Sequence, residues 1–102
     1  MKDIFFEAIN SKKVVKIRIK SNEKGIIERL CIPFDFGESR RYKDGLVRFH
    51  FYDLDSPDGK HNLSILPEQL LHIKITDTSF DPADYVKWEP NWIYPRDWGS
   101  FS

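Results

Sequence analysis

The sequence predicts a mainly β domain of the α+β class, in which a short N-terminal helix precedes a five-stranded, strongly bent antiparallel sheet that closes as a small barrel, followed by an aromatic C-terminal tail. Three observations carry this reading. Apolar residues fall at helical spacing only near the N-terminus, they alternate with polar ones at a period of two in several later segments, and clusters of Asn, Asp, Pro and Gly separate those segments at short intervals. Closure is expected because five short strands in an open sheet expose two unpaired edges.

Taken in order, Ile4, Phe5, Ala8 and Ile9 make one apolar stripe, so Asp3 to Asn10 reads as an amphipathic helix with Asp3 as its N-cap. The period then changes. Val15, Ile17 and Ile19 alternate with Lys16, Arg18 and Lys20, which is a strand with one wet, basic face. Ser21-Asn22-Glu23-Lys24-Gly25 is turn chemistry, and Ile26 to Ile32 returns as a second strand closed by Pro33. Phe34 to Asp44 shows no period and reads as a loop. A third strand from Leu46 to Leu54 turns at Asp55-Ser56-Pro57-Asp58-Gly59 and returns as Lys60 to Leu66. If Val47, Phe49 and Phe51 point inward, they share a face with Leu63 and Ile65. Odd residues must then pair with odd ones, through an odd-length connection or a bulge at Gly59. Pro67-Glu68-Gln69 suits a single helical turn, and Leu71, Ile73 and Ile75 alternate with His72, Lys74 and Thr76 as the fifth strand.

The last stretch, Phe80 to Ser102, holds seven of the fifteen aromatics together with Pro82, Pro90 and Pro95, which leaves no room for a strand or helix of normal length. The expected organisation is therefore a barrel domain over residues 1–82 and an extension over 83–102 packed upon it.

A chain of 102 residues supports one hydrophobic core, and no apolar run approaches the roughly 20 residues that span a bilayer, so no membrane is expected. Acidic residues interrupt Met1-Lys2-Asp3-Ile4-Phe5-Phe6-Glu7, which is unlike a signal peptide. The lone Cys31 sits in an apolar stretch and reads as a small core residue. Both features predict a cytoplasmic protein. Formal net charge is zero, yet residues 1–51 hold 12 Lys/Arg against 7 Asp/Glu, a net of +5, and residues 52–102 hold 4 against 9, a net of −5.

From Ile4 to about Pro82 the order of features resembles the WYL domain, an Sm-like or SH3-like β-barrel found mostly in bacterial regulators. The resemblance is carried by Ala8-Ile9, the strand Val14 to Ile19, the segment Glu28-Arg29-Leu30-Cys31-Ile32-Pro33, Tyr52-Asp53-Leu54 and Leu70-Leu71-His72-Ile73. It implies a regulatory, non-enzymatic domain that senses a ligand, often nucleic acid or a nucleotide. The chain departs from the family at the Trp-Tyr-Leu signature, where it has Val47-Arg48-Phe49, and at Ser64 and Leu66-Pro67, where the family places arginines. No length remains for a DNA-reading helix pair.

Two candidate surfaces follow. Arg29, Arg40, Arg41 and Arg48, with Tyr42 beside them, form a possible anion site, because guanidinium groups donate paired hydrogen bonds to phosphate or carboxylate and an aromatic ring stacks on a base. The bland alternative pairs these arginines with Glu28, Asp35 and Glu38. Trp88, Trp92, Trp98 and Arg96 are either the cover of the barrel or a partner-binding patch for another protein or a second copy. Lys12, Lys13, Lys16, Arg18 and Lys20 are either a solvated face or a track for a phosphate backbone. His50, His61 and His72 lack the spacing of a metal site, no catalytic motif is present, and no cofactor is expected.

Overall fold

The computed structural model describes Met1–Ser102. The apolar stripe of the first residues becomes α1 (Lys2–Ser11), which buries Phe5, Ala8 and Ile9. The helix begins one residue earlier than its sequence suggests. Met1 is the N-cap without a side-chain bond, and Asp3 lies in the first turn, where its charge faces the positive end of the helix. Ile4 falls off the buried stripe and is exposed.

Five strands follow: β1 (Lys13–Ser21), β2 (Gly25–Glu38), β3 (Val47–Asp53), β4 (His61–Ile65) and β5 (Leu70–Ser79). All pairings are antiparallel, in the order β4-β3-β2-β1-β5. Strand β2 is the spine of the sheet. Its first half, Gly25 to Cys31, pairs with β1, and its second half, Cys31 to Glu38, pairs with β3. The expected loop from Phe34 is therefore strand as far as Glu38. Pro33, which has no N–H to give the ladder, is accommodated where the register shifts between Pro33 and Asp35.

The β3–β4 register pairs Phe49 with Ile65 and Phe51 with Leu63, odd with odd, across the odd-length connection between Asp53 and His61. Val47, expected inward, is exposed because it lies at the mouth of the strand, beyond the last β4 partner. In β5 a bulge opposite Arg18 and Ile19 sets Leu70 against Ile19, so Leu70 is buried and Leu71, expected inward, is exposed. Inward residues of β1, β2, β3 and β5 meet α1 in the core, where Phe5 approaches the rings of Phe49 and Phe51 edge-on at 5.0 and 5.3 Å.

Strands β4 and β5 have one partner each, so backbone pairing does not close the sheet into a cylinder. The short turn Pro67–Gln69 joins them: Gln69 Oε1 accepts from the Leu66 N–H at 2.9 Å and its Nε2 donates to the Lys20 carbonyl at 3.2 Å. The tail contains only two single 3-10 turns, at Pro82–Asp84 and Gly99–Phe101. It nevertheless enters the core through Val86 and Trp98. No helix of the chain is long and apolar enough to cross a membrane.

Candidate ligand cleft

The four candidate arginines divide into two pairs. Arg29, on β2 and partly buried, has its Nε 3.4 Å from Oδ2 of the buried Asp53, and its Nη1 donates to the Glu28 carbonyl. Arg48, expected on a wet face of β3, is also buried. It makes a two-pronged pair with Asp44, at 3.0 and 2.9 Å, and lies 4.4 Å over the Tyr42 ring. That pair holds the Asp44 carboxyl down to about 2 and raises the Arg48 guanidinium above its ordinary value. Arg48 thus has two donors on a carboxylate of the fold, whereas Arg29 has one nitrogen beside a carboxylate and one on a backbone carbonyl.

Arg40 and Arg41 differ. They lie in the loop after β2, both exposed and without an acidic partner. Arg40 gives one N–H to the Asn91 carbonyl at 3.0 Å, which leaves most of its five donors open. Arg41 leans on Tyr42 at 5.6 Å. Beside them is an open cleft of about 480 Å³, within the range typical of small-ligand sites. Its walls are the 39–42 loop, β4 from His61 to Ser64, and the tail from Trp88 to Ile93. The cleft thus unites Arg40, Arg41 and Tyr42 with Trp88 and Trp92, residues that the sequence assigned to separate surfaces.

The aromatic wall is held in place. Phe34 meets Trp88 edge-on at 5.7 Å and Trp92 at 5.7 Å, while the Trp92 indole N–H donates to the Phe101 carbonyl at 2.8 Å. Trp88 is half exposed and presents its ring to solvent. Trp98 is the opposite case: it is buried, and its indole N–H donates to the Ile9 carbonyl at the end of α1. Arg96 is internal too, with its side chain fully covered. Of the four tail residues considered for a partner, Trp98 and Arg96 therefore serve the interior.

What fixes this wall is Asp35, which the sequence offered only as a possible partner for the loop arginines. Its Oδ1 accepts from the backbone N–H of Phe36 and Tyr94, its Oδ2 accepts from Ile93, and Arg96 Nη2 lies 3.3 Å from Oδ1. Arg96 in turn donates to the Phe34 carbonyl and lies between the rings of Trp92 and Trp98, 4.0 and 4.5 Å from their centroids. Burial pulls its guanidinium down to about 10, against the opposing pull of Asp35. Gly37 completes the seat, since a side chain there would run into Ile93. The signal in the sequence was a lone carboxylate within Pro33-Phe34-Asp35-Phe36, because a charge in an apolar run needs a dedicated partner.

Two of the three histidines have hydrogen-bond partners. His50 has Nε2 2.9 Å from the Gly37 carbonyl and Nδ1 2.8 Å from Ser64 Oγ, so in the neutral ring Nε2 donates and Nδ1 accepts. His61 Nδ1 lies 2.9 Å from the Gly59 carbonyl. No three His, Cys, Asp or Glu side chains gather at metal-binding distance. Cys31 is fully buried, and desolvation raises its thiol far above the ordinary range. Comparison with protein-family models, with curated proteins and with solved structures returns no match.

Proposed function

We propose that the protein is a non-enzymatic regulatory binding module that takes a nucleotide-like ligand, an aromatic base carrying phosphate, in the cleft between the 39–42 loop and the tail. The observation that carries this reading is the meeting of two acid-free arginines with an exposed tryptophan at the rim of one open cavity. Phosphate oxygens meet the open donors of Arg40 and Arg41, and the base stacks on Trp88. Arg29 and Arg48, grouped with them on sequence grounds, do not line this cleft and are paired with Asp53 and Asp44.

The same reading treats the bent sheet as an opened Sm-like or SH3-like barrel and the chain as a divergent, stand-alone relative of the WYL domain, which senses ligands in bacterial regulators. A cytoplasmic location fits a ligand of this class. The tail serves the site by forming one wall of it. A protein partner or second copy is the competing use of that wall, and the half-exposed Trp88 with the exposed Ile93 is what favours it.

Trp88 is its own reporter. Titration with single nucleotides and short single-stranded oligonucleotides should quench its fluorescence saturably, and Arg40→Ala with Arg41→Ala should weaken binding at least tenfold without altering the circular dichroism of the sheet. Trp88→Ala should cost about 1–3 kcal/mol of binding, the usual worth of one stacked base. Absence of any saturable response at low ionic strength overturns the reading. Concentration-dependent dimerisation that Trp88→Ala abolishes supports the competing use.

A further inference from the structure

The outer face of β1, β5 and the first half of β2 is bare, and its register fixes an unusual charge pattern. Three rows cross it. Lys16 lies between Lys74 and Leu30, Arg18 between His72 and Glu28, and Lys20 beside Ile26. All eight of these side chains are exposed, so neither helix nor tail covers them. Only one carboxylate, Glu28, is present, 3.4 Å from Arg18. Lys16 directly opposes Lys74. Like charges at opposed positions destabilise a sheet, so in the free protein this pair works against the fold. Lys12 and Lys13 do not join it: Lys12 caps α1 in a left-handed conformation, and Lys13 Nζ is bound to Ser79 Oγ at 3.0 Å.

We propose that this face is a second, cleft-independent binding surface, on which the backbone of a nucleic-acid duplex lies along β1. The spacing supports the fit. Outward residues of a strand recur about every 6.6–6.8 Å, close to the separation of successive phosphates along one nucleic-acid strand, so Lys16, Arg18 and Lys20 come opposite neighbouring phosphates. Lys74 adds a charge one strand away. The face carries no Phe, Tyr or Trp ring, so unpaired bases find little to stack on beyond the small imidazole of His72, which favours duplex over single strand. Contact with phosphates alone makes the binding independent of sequence.

Fluorescence anisotropy of a labelled mixed-sequence duplex, titrated with the full chain across a salt series, tests this directly. With Lys16, Lys20 and Lys74 each displacing one counterion and Arg18 already paired with Glu28, the slope of log K against log salt should be about −2.7, a loss of roughly 40-fold between about 50 and 200 mM. Lys16→Ala and Lys74→Ala should each flatten the slope by about one charge, and Lys16→Glu with Lys74→Glu should abolish binding. Arg40→Ala with Arg41→Ala should leave duplex binding unchanged, which separates failure of this surface from failure of the cleft. The proposal is overturned if duplex binding is absent at the lowest salt, if the Lys16 and Lys74 variants keep the wild-type slope, or if the chain binds phosphatidylcholine–phosphatidylserine vesicles while ignoring the duplex.

Discussion

The outer surface of the sheet has two halves that the same five strands treat in opposite ways. Over the second half of β2 and over β3 it is covered. Tyr52 packs on Tyr85 of the tail at 5.6 Å, Phe34 meets Trp88 and Trp92, and the carboxylate of Asp35 is saturated by backbone N–H groups and Arg96. Over β1 and β5 it is uncovered, and cations face cations across the ladder. Charge near the tail is thus used inwardly to fasten one piece of chain to another, whereas Lys16, Lys20 and Lys74 on β1 and β5 are exposed to solvent. The lesson is that an arginine's role depends on whether the fold supplies its acid. Arg96, Arg48 and Arg29 have one, while Arg40 and Arg41 do not.

The strongest way to break this contrast is Asp35→Ala. It strands Arg96 without its counter-charge and leaves the Ile93 and Tyr94 N–H groups without an acceptor. Loss of one partner from a buried pair costs about 3–5 kcal/mol, read as a fall in the urea midpoint, and the cleft should lose its tryptophan wall. A loss below about 1 kcal/mol means the tail is held by its aromatics alone. Next in size, Trp98→Phe keeps most of the buried ring but removes the donor to Ile9, which should cost about 1–3 kcal/mol by the same measurement.

The uncovered half should respond differently. Lys16→Glu replaces a repulsive neighbour of Lys74 with an attractive one, so stability should rise by about 0.2–1 kcal/mol. A net loss of stability there places Lys16 in a structural role and removes the contrast. The smallest effect concerns pH. The Asp44 carboxyl lies below its ordinary 3.8, at about 2, because Arg48 holds it. Its contribution to stability is therefore complete above about pH 4 and lost as pH falls through 2. NMR titration of Asp44 should follow that midpoint in the wild type and return towards the ordinary value in Arg48→Ala.

Much of the fold was legible because its signals are local. Alternation in Val15 to Ile19 and in Phe49 to Phe51 marked strands, and it also marked the face that Phe49 and Phe51 share with Leu63 and Ile65, odd residues with odd. Irregularities were not legible. Continuation of β2 past Pro33 and the bulge that turns Leu71 outward depend on what the neighbouring strand does. The site was read only in part, for the same reason. Arg40, Arg41 and Tyr42 stood out by residue type, but their meeting with Trp88 and Trp92 spans about half the chain.

The sequence by itself determined the class of fold, the helix at its start, the hairpins and the poverty of secondary structure in the tail, since these follow from periodicity and turn chemistry within a few residues. Tertiary structure alone decided that β4 and β5 do not pair with each other, that Asp35 rather than the loop arginines' neighbours anchors the tail, and which guanidinium groups remain open. Ion pairing and burial are set by distance in space, and residues as far apart as Asp35 and Arg96 have no sequence pattern that announces their contact.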